Sequence, residues 1–150
     1  MTTQPTLPST LEHQTYLALQ GLALRLKEET EQLLKDEGLT LTQFNVLRIL
    51  RGSSEDALTC GEIAERLLNK DPDVTRLLDR MEKQGLIARA RSEKDRRVLL
   101  THLSPHGRAT VDRLDSPMLN LHHRQFQHLS VERRQLLLEL LSEASRAEAT

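Results

Sequence analysis

Basic side chains are concentrated between Arg76 and Arg113, although the whole 150-residue chain carries a formal charge of −1. This segment holds ten lysines and arginines against five acidic residues, a surplus of five positive charges. Guanidinium and ammonium groups bind phosphate, and an arginine can also contact a guanine through two parallel hydrogen bonds. A cationic segment in a chain of nearly balanced charge indicates a local surface for a polyanion such as DNA.

The residues from Thr59 to Gly85, which lead into this cationic segment, have the pattern of a helix-turn-helix. Thr59 and Glu62 form a capping box that opens a short helix. A turn follows, in which Asp71 suits the N-cap and Pro72 the first helical position, and the second helix ends at Gly85. The positions of the short helix predicted to face inward are Ile63, Ala64, Leu67 and Leu68.

The first turns of the second helix are expected to face the bases in a major groove. The candidate contacts there are Asp73, Thr75, Arg76 and Arg80. Arg76 can bind guanine or neutralise phosphate, and Thr75 can bond a base or touch a thymine methyl group. Asp73 can accept a hydrogen bond from cytosine, cap the helix or hold Arg76 in position, and these alternatives stay open.

Two short strand-like runs follow, at 86–91 and 97–103, and a charged turn joins them. The candidate DNA contacts of this hairpin are Arg91, Lys94, Asp95, Arg96 and Arg97. An arginine at the tip fits a narrow minor groove, and Asp95 is expected to fix an arginine in position. A solvated hairpin turn is the alternative interpretation, but the preceding helix-turn-helix favours a winged helix that binds DNA.

Long helices are predicted on both sides of this winged helix. The first is capped by Thr10, stops at Gly38 and carries more apolar surface than a small core can cover. After the wing, Ser104 caps a helix that is disturbed at Pro117, and Ser130 caps the last helix. Burial in a subunit interface would explain the apolar stripes at both ends of the chain.

The segment DRRVLLTHLSPHG, which begins at Asp95, resembles the wing of the MarR family of bacterial winged-helix transcription regulators. The family's wing pattern is Asp, one residue, Arg, and then Leu-Thr before a Gly. Asp95, Arg97, Leu103 and Gly107 meet it, and Ser104 replaces the usual Thr. Two more segments resemble the family, VTRLLDRMEKQGLIAR as recognition helix and first wing strand, and LTLTQFNVLRIL as the helix before the reading head. The resemblance covers about 11–143.

The resemblance implies a fold that is mainly α with a small β-hairpin wing, a winged helix-turn-helix with N- and C-terminal dimerisation helices. A flexible tail at 1–9 would precede one domain at 10–150, with the DNA-binding lobe at about 39–104 and dimerisation helices at about 10–37 and 105–147. It implies a homodimer on a pseudo-palindromic operator, with Arg97 in the minor groove and Asp95 supporting it. Many members are repressors released by a small phenolic or lipophilic anion.

An effector pocket would be lined by Tyr16, Arg25, Phe44 and Arg48, with an arginine for the anion. The same residues fill an ordinary core, and Phe44 is ranked as core first. Some members of the family sense oxidants or metals. Cys60 lies in the first turn of a predicted helix, which keeps a redox-responsive regulator as an alternative, and the six histidines keep a metal-responsive one. A structural or incidental Cys60 and histidines that face solvent or an interface are ranked first.

Other classes of function find less support in the sequence. No glycine-rich phosphate loop or G-x-S-x-G motif is present, so the chain is interpreted as a non-enzyme without cofactor or metal. One cysteine and the lack of a long apolar run predict a cytoplasmic protein with no membrane contact. A winged helix that contacts proteins rather than DNA is the remaining alternative, and the cationic surplus argues against it.

Overall fold

The computed structural model describes residues 9–68 and 73–146, which form six helices and three short strands. The helices are α1 (Leu11–Lys35), α2 (Leu41–Gly52), α3 (Cys60–Arg66), α4 (Val74–Lys83), α5 (Pro105–Phe126) and α6 (Val131–Ala144). The strands are β1 (Leu58–Thr59), β2 (Ile87–Arg91) and β3 (Leu99–Leu103). This mainly helical architecture with a β-hairpin confirms the predicted fold class. The predicted tail lies outside the described residues, apart from Ser9.

The chain divides into two compact units, one ending at Asp115 and the other beginning at Ser116. The first unit contains α1 to α4, the sheet and the start of α5, and the second contains the rest of α5 and α6. One domain over 10–150 stays a prediction.

Side-chain caps set the beginnings of several helices at the predicted residues. Thr40 and Gln43 form a complete capping box at α2, since each side chain accepts a hydrogen bond from the other's backbone N–H. Thr59 and Glu62 repeat this arrangement at α3. At the end of α1, Gly38 adopts a positive φ of 69°, a conformation that glycine reaches without steric cost. The sequence therefore encodes these boundaries locally.

The start of α4 differs from the prediction. The helix begins at Val74, and Asp73 is its N-cap, with Oδ1 accepting a hydrogen bond from the backbone N–H of Arg76 at 3.1 Å. The predicted cap Asp71 and the predicted first helical residue Pro72 lie outside the described residues. Leu68 was also wrongly predicted to face inward, because α3 ends at Arg66 and Leu68 is 91% exposed.

The three strands form an antiparallel sheet in the order β1–β3–β2. The predicted hairpin is confirmed as β2 and β3, with Arg91 opposite Leu99 at its outer end. Both strands begin later than expected, and the turn before β3 is closed by a hydrogen bond from Val98 N–H to the Asp95 carbonyl. Strand β1 was not predicted, because two residues show no period-two alternation.

The first unit buries a continuous leucine-rich core. Its helices and the strands β1 and β2 contribute buried apolar side chains, whereas the buried residue of β3 is Thr101. Among the fully buried side chains are Leu34, Leu47, Leu58, Ile63 and Leu78. The predicted helix after the wing is confirmed as α5, which runs on through Pro117. Proline lacks a backbone N–H, so the helix loses one hydrogen bond there without ending.

The second unit leaves much of its apolar surface uncovered. None of the residues of α6 is buried, and Leu138 is 66% exposed. Among the described helices, none is both long enough and apolar enough to cross a bilayer.

Candidate nucleic-acid interface

Helix α4 has a buried face and an exposed cationic face. Val74, Leu77, Leu78 and Met81 are buried in the core of the first unit. Helical spacing directs Thr75, Arg76, Arg80 and Lys83 away from that core, and all four are exposed. The acidic residues Asp79 and Glu82 also lie outside the core. The predicted contacts Thr75, Arg76 and Arg80 are thus on one exposed surface.

Asp73 takes two of the roles left open by the sequence. Its Oδ1 atom caps α4, and its Oδ2 atom lies 3.3 Å from Nε of Arg76. The Arg76 side chain is still 80% exposed, so the ion pair orients the guanidinium without covering it. Asp73 therefore acts as a cap and as a support for Arg76.

The turn of the wing holds Arg97 by its own carboxylate neighbour. Asp95 Oδ1 accepts hydrogen bonds from the backbone N–H of Arg97 at 3.0 Å and from its Nε at 3.2 Å, and Oδ2 accepts one from Nη2 at 3.4 Å. These bonds lower the pKa of Asp95, which keeps the carboxylate charged. Arg97 is 92% exposed, so its guanidinium is fixed in direction and open to solvent. The expected support of an arginine by Asp95 is confirmed.

The other wing candidates surround this arginine. Arg91 Nη1 donates a hydrogen bond to the backbone carbonyl of Arg97 at 3.4 Å. The backbone N–H of Lys94 donates to Ser92 Oγ at 3.3 Å, and the side chains of Lys94 and Arg96 are exposed. We name as the reading surface the exposed residues Thr75, Arg76, Arg80, Arg91, Lys94, Arg96 and Arg97.

Arg89 belongs to the same cationic segment but supports the fold. Its side chain is only 14% exposed, and Nη2 contacts Asp79 Oδ1 and Glu82 Oε1 of α4. The hydrogen bond to Glu82, and after it the bond to Asp79, raises the pKa of Arg89. The bond from Arg89 in turn lowers the pKa of Glu82. The interaction ties β2 to α4 and fixes the wing beside the recognition helix. Sequence reasoning counted Arg89 as cationic surface and missed this role.

Two junctions of the first unit also hold the start of α5 in place. Arg51, at the end of α2, donates from Nη1 to Asp112 at 2.9 Å and from Nη2 to Asp115 at 2.8 Å. The hydrogen bond from Arg51 lowers the pKa of Asp115 below its ordinary value of 3.8. Arg113 Nη2 contacts Glu37 at 2.6 Å. None of these pairs was foreseen, since their partners are far apart in sequence.

The family wing motif has a steric basis at Gly107. A Cβ atom there would lie 1.9 Å from the carbonyl oxygen of Leu86, so only glycine fits. Ser104 accepts a hydrogen bond from Gly107 N–H at 2.9 Å and thereby caps α5. Its own N–H donates to the Leu86 carbonyl at 3.2 Å, which joins the end of β3 to the start of β2.

The four predicted effector contacts do not share one environment. Phe44 is buried in the core, which confirms its first-ranked role, and the guanidinium of Arg48 lies 5.8 Å from the centre of its ring. Tyr16 is exposed on α1, and Arg25 forms an exposed ion pair with Glu29 on the same helix. Effector binding by these residues stays a prediction.

Cys60 lies at the first position of α3 with its Sγ atom 3.9 Å from Thr75 Oγ1. It is half-buried and free. Within residues 9–68 and 73–146, no cluster of three or more His, Cys, Asp or Glu side chains is placed to hold a metal ion.

Known proteins share both the sequence pattern and the fold. Residues 37–98 match the model of the MarR family. The HTH-type transcriptional repressor MdtR of Bacillus subtilis (strain 168) is 37% identical over 91 residues, which are 61% of this chain and 57% of MdtR. A MarR transcription factor from Planctomyces limnophilus is 31% identical, with a TM-score of 0.69 over 89% of this chain and 97% of that chain. The chain belongs to the MarR family.

A further structure is similar to this MarR chain over nearly its whole length. BpsR from Bordetella bronchiseptica, whose DNA binding is regulated by 6-hydroxynicotinic acid, is 26% identical with a TM-score of 0.81. The match covers 94% of this chain and 99% of that one. The winged helix of this MarR chain, with its exposed α4 and hairpin, is thus the element that a DNA-binding member of the family would present.

Proposed function

We propose that this MarR chain is a sequence-specific, homodimeric transcriptional repressor that binds a pseudo-palindromic operator and leaves it when a small organic anion binds. The observation that carries the proposal is the reading surface. Its arginines and lysine are exposed, and Asp73 and Asp95 orient Arg76 and Arg97 without covering them. Arg51 and Arg89, in contrast, are largely covered where they contact carboxylates of the same chain. Cationic groups that stay open to solvent are what a phosphate-binding surface requires.

The shape of the reading surface fits a DNA duplex. Arg76 and Arg80 are one helical turn apart on the exposed side of α4, which suits a helix in the major groove. Arg97 extends from the wing tip, where a cation can enter the narrow, strongly negative minor groove beside it. Asp73 and Asp95 would direct the two guanidinium groups before DNA arrives, which lowers the entropy cost of binding.

Homodimer formation is supported by uncovered apolar side chains near both ends of the chain. Leu11, Leu17 and Leu24 are exposed on α1, and Leu138 and Leu140 are exposed on α6. Exposed leucines in this number are unusual for a monomer and mark a surface that another protein covers. A second copy would also place two reading surfaces on one operator, with half-sites about one helical turn apart.

An acidic effector is supported by a relative. DNA binding by BpsR is regulated by 6-hydroxynicotinic acid, which is a small aromatic carboxylic acid. We extend that class of ligand, phenolic or lipophilic anions, to the present chain.

The proposal is tested by selecting bound sequences from random duplex DNA at low and at physiological salt. We expect an enriched pseudo-palindrome with half-sites about 10 base pairs apart and an affinity that falls steeply as salt rises. If no sequence is enriched and retention does not depend on salt, the winged helix contacts proteins instead, and the DNA-binding proposal is wrong.

A further inference from the structure

A small recess separate from the reading surface lies between the exposed side of α2 and the end of α3. Its volume is about 310 Å³, which is at the lower end of the range for small-molecule pockets. We name it the anion recess, and it is lined by Asn45, Arg48, Ile49, Arg66 and Leu68. It shares no residue with the reading surface, so a ligand there would not contact the predicted DNA-binding groups.

Two guanidinium groups line the anion recess from different helices. Within the described ranges, Arg48 and Arg66 form no ion pair within 4 Å, although Arg66 attracts Glu62 and Arg48 attracts Asp115 over a longer distance. Arg51, Arg76 and Arg89, in contrast, each contact a carboxylate directly. Two cations lining one recess repel each other, and a bound anion would offset that repulsion. The arrangement therefore favours a negatively charged ligand.

Both arginines are oriented by contacts that leave donors available. Arg66 donates from Nη1 to Ser53 Oγ at 3.3 Å. The Arg48 guanidinium lies over the Phe44 ring, and that ring is fixed in the core. A planar guanidinium has five N–H donors, so each arginine keeps enough of them to bind a carboxylate. The site is thus partly organised before a ligand binds.

The remaining walls are apolar or neutral. Ile49 is half-buried, and Leu68 is almost fully exposed beside the two arginines. Asn45 adds an amide that can donate to a carboxylate oxygen. Phosphate alone would leave the leucine and isoleucine uncovered, whereas an acid with a hydrocarbon or aromatic body would cover them.

We propose that the anion recess binds a small organic carboxylate with an apolar body. The carboxylate lies between Arg48 and Arg66, and the body of the ligand covers Ile49 and Leu68. The site gives the small-molecule effector of the proposed function a location. Its role in regulating DNA binding rests on that proposed function. Of the effector contacts predicted from the sequence, the proposed site retains Arg48. It does not include Tyr16 and Arg25, whose place is taken by Arg66 and the other residues of the anion recess.

The test is a calorimetric titration of the full chain with 2-naphthoate, with its neutral isostere 2-naphthamide and with octanoate. We expect saturable binding of both acids and at least tenfold weaker binding of the amide. Arg48→Gln and Arg66→Gln should each weaken 2-naphthoate binding at least tenfold. Arg133→Gln removes the same charge from an exposed position on α6 and is the matched control. In NMR spectra, the side-chain amide of Asn45 should shift with 2-naphthoate.

Several results would overturn the inference. They are failure of both acids to bind, equal binding of acid and amide, or equal binding by the two variants and the Arg133→Gln control. DNA titrations without any acid separate this inference from the proposed function. If Arg48→Gln and Arg66→Gln lower DNA affinity tenfold relative to Arg133→Gln, the recess belongs to the DNA surface and the inference is wrong. If the wild type binds 2-naphthoate through both arginines but never binds DNA, the proposed function fails and the recess stands.

Discussion

Helices α4 and α6 both carry apolar side chains at helical spacing, yet the two helices use them differently. In α4, Val74, Leu77, Leu78 and Met81 are buried by the rest of the first unit, which leaves charged residues outside. In α6, which the structure describes from Val131 to Ala144, no residue is buried. The same sequence pattern thus gives a complete core in one region and an uncovered surface in the other.

This difference indicates which kind of partner the exposed side of α4 and that of α6 can each bind. The exposed side of α4 is cationic and polar, which fits DNA, whereas α6 exposes leucines, which fit a protein surface. Burial of a leucine stabilises an assembly by about 1.5–3 kcal/mol, so several uncovered leucines are a strong driving force for association. Under the proposed function, the first unit carries the DNA-binding surface and a second copy covers the exposed leucines of α6.

The largest effect is expected from a charge placed on the apolar surface of α6. Leu138→Asp should raise the dissociation constant of the homodimer roughly a hundredfold or more, because the symmetric interface loses the leucine twice. Sedimentation velocity over a dilution series measures this change. Leu138→Met keeps an apolar side chain of similar volume and is the control. A dimer of wild-type affinity in Leu138→Asp would mean that this part of α6 stays open to solvent.

A cavity in the core of the first unit should have the next largest effect. Leu78→Ala removes a fully buried side chain and should lower the free energy of unfolding by about 3 kcal/mol. Leu99→Ala, at a partly exposed leucine of β3, should cost less than half as much. Urea unfolding at one fixed protein concentration compares the two, since the stability of a dimer depends on concentration. Equal losses would contradict the assignment of α4 to a closed core.

Loss of the wing arginine should weaken DNA binding without changing assembly. Arg97→Ala is expected to lower operator affinity about 10–100-fold and to reduce its salt dependence, because one cationic contact is removed. Asp95→Asn should give a smaller loss, since Arg97 keeps its charge but loses its fixed orientation. Fluorescence anisotropy at several salt concentrations measures both, with Arg133→Ala on α6 as the charge-matched control. A loss as large in Arg133→Ala would show that net charge, not the wing, decides affinity.

Acid should weaken the first unit through its ion pairs. The folded-state pKa values of Asp115 and Glu82 lie below their ordinary values of 3.8 and 4.5, because Arg51 and Arg89 donate hydrogen bonds to them. These carboxylates stabilise the fold above their unfolded-state pKa values, and the contribution is lost as pH falls through the folded-state values.

The comparison for this effect is Arg51→Gln against the wild type in urea unfolding between about pH 5 and pH 3. The variant should have a lower free energy of unfolding than the wild type at the upper pH, and this difference should shrink as pH falls. The whole difference should be smaller than the loss caused by Leu78→Ala. A gap that stays constant would mean that the contact of Arg51 with Asp112 and Asp115 contributes through packing alone.

Local chemistry explains which features the sequence revealed. The capping boxes of α2 and α3 and the link between Asp95 and Arg97 join residues within three positions, so their spacing alone predicts the contact. The start of α4 was shifted by two residues because Asp71 and Asp73 can both cap a helix, and spacing does not choose between them.

Contacts between distant segments were beyond the sequence pattern. Arg51 contacts Asp112 and Asp115 only because α2 and α5 are adjacent in the fold, and the residue pattern of one sequence does not show that adjacency. Arg48 and Arg66 likewise share a recess although they belong to different helices. Gly107 matched a family pattern, but its steric requirement became evident once the carbonyl of Leu86 was located.

The smallest effect is expected at Cys60, which borders the recognition helix without belonging to the reading surface. Its Sγ atom lies 3.9 Å from the hydroxyl of Thr75, and a serine hydroxyl can serve as the same neighbour. The chain has no second cysteine, so oxidation has no disulfide partner within one copy. Cys60→Ser should therefore keep operator affinity within about twofold of wild type, since DNA binding depends on arginine charges. Anisotropy titrations of the wild type and of Cys60→Ser, before and after mild peroxide treatment, measure this. If peroxide released the wild type from DNA but not the variant, the Cys60 thiol would be an oxidant sensor placed directly against α4.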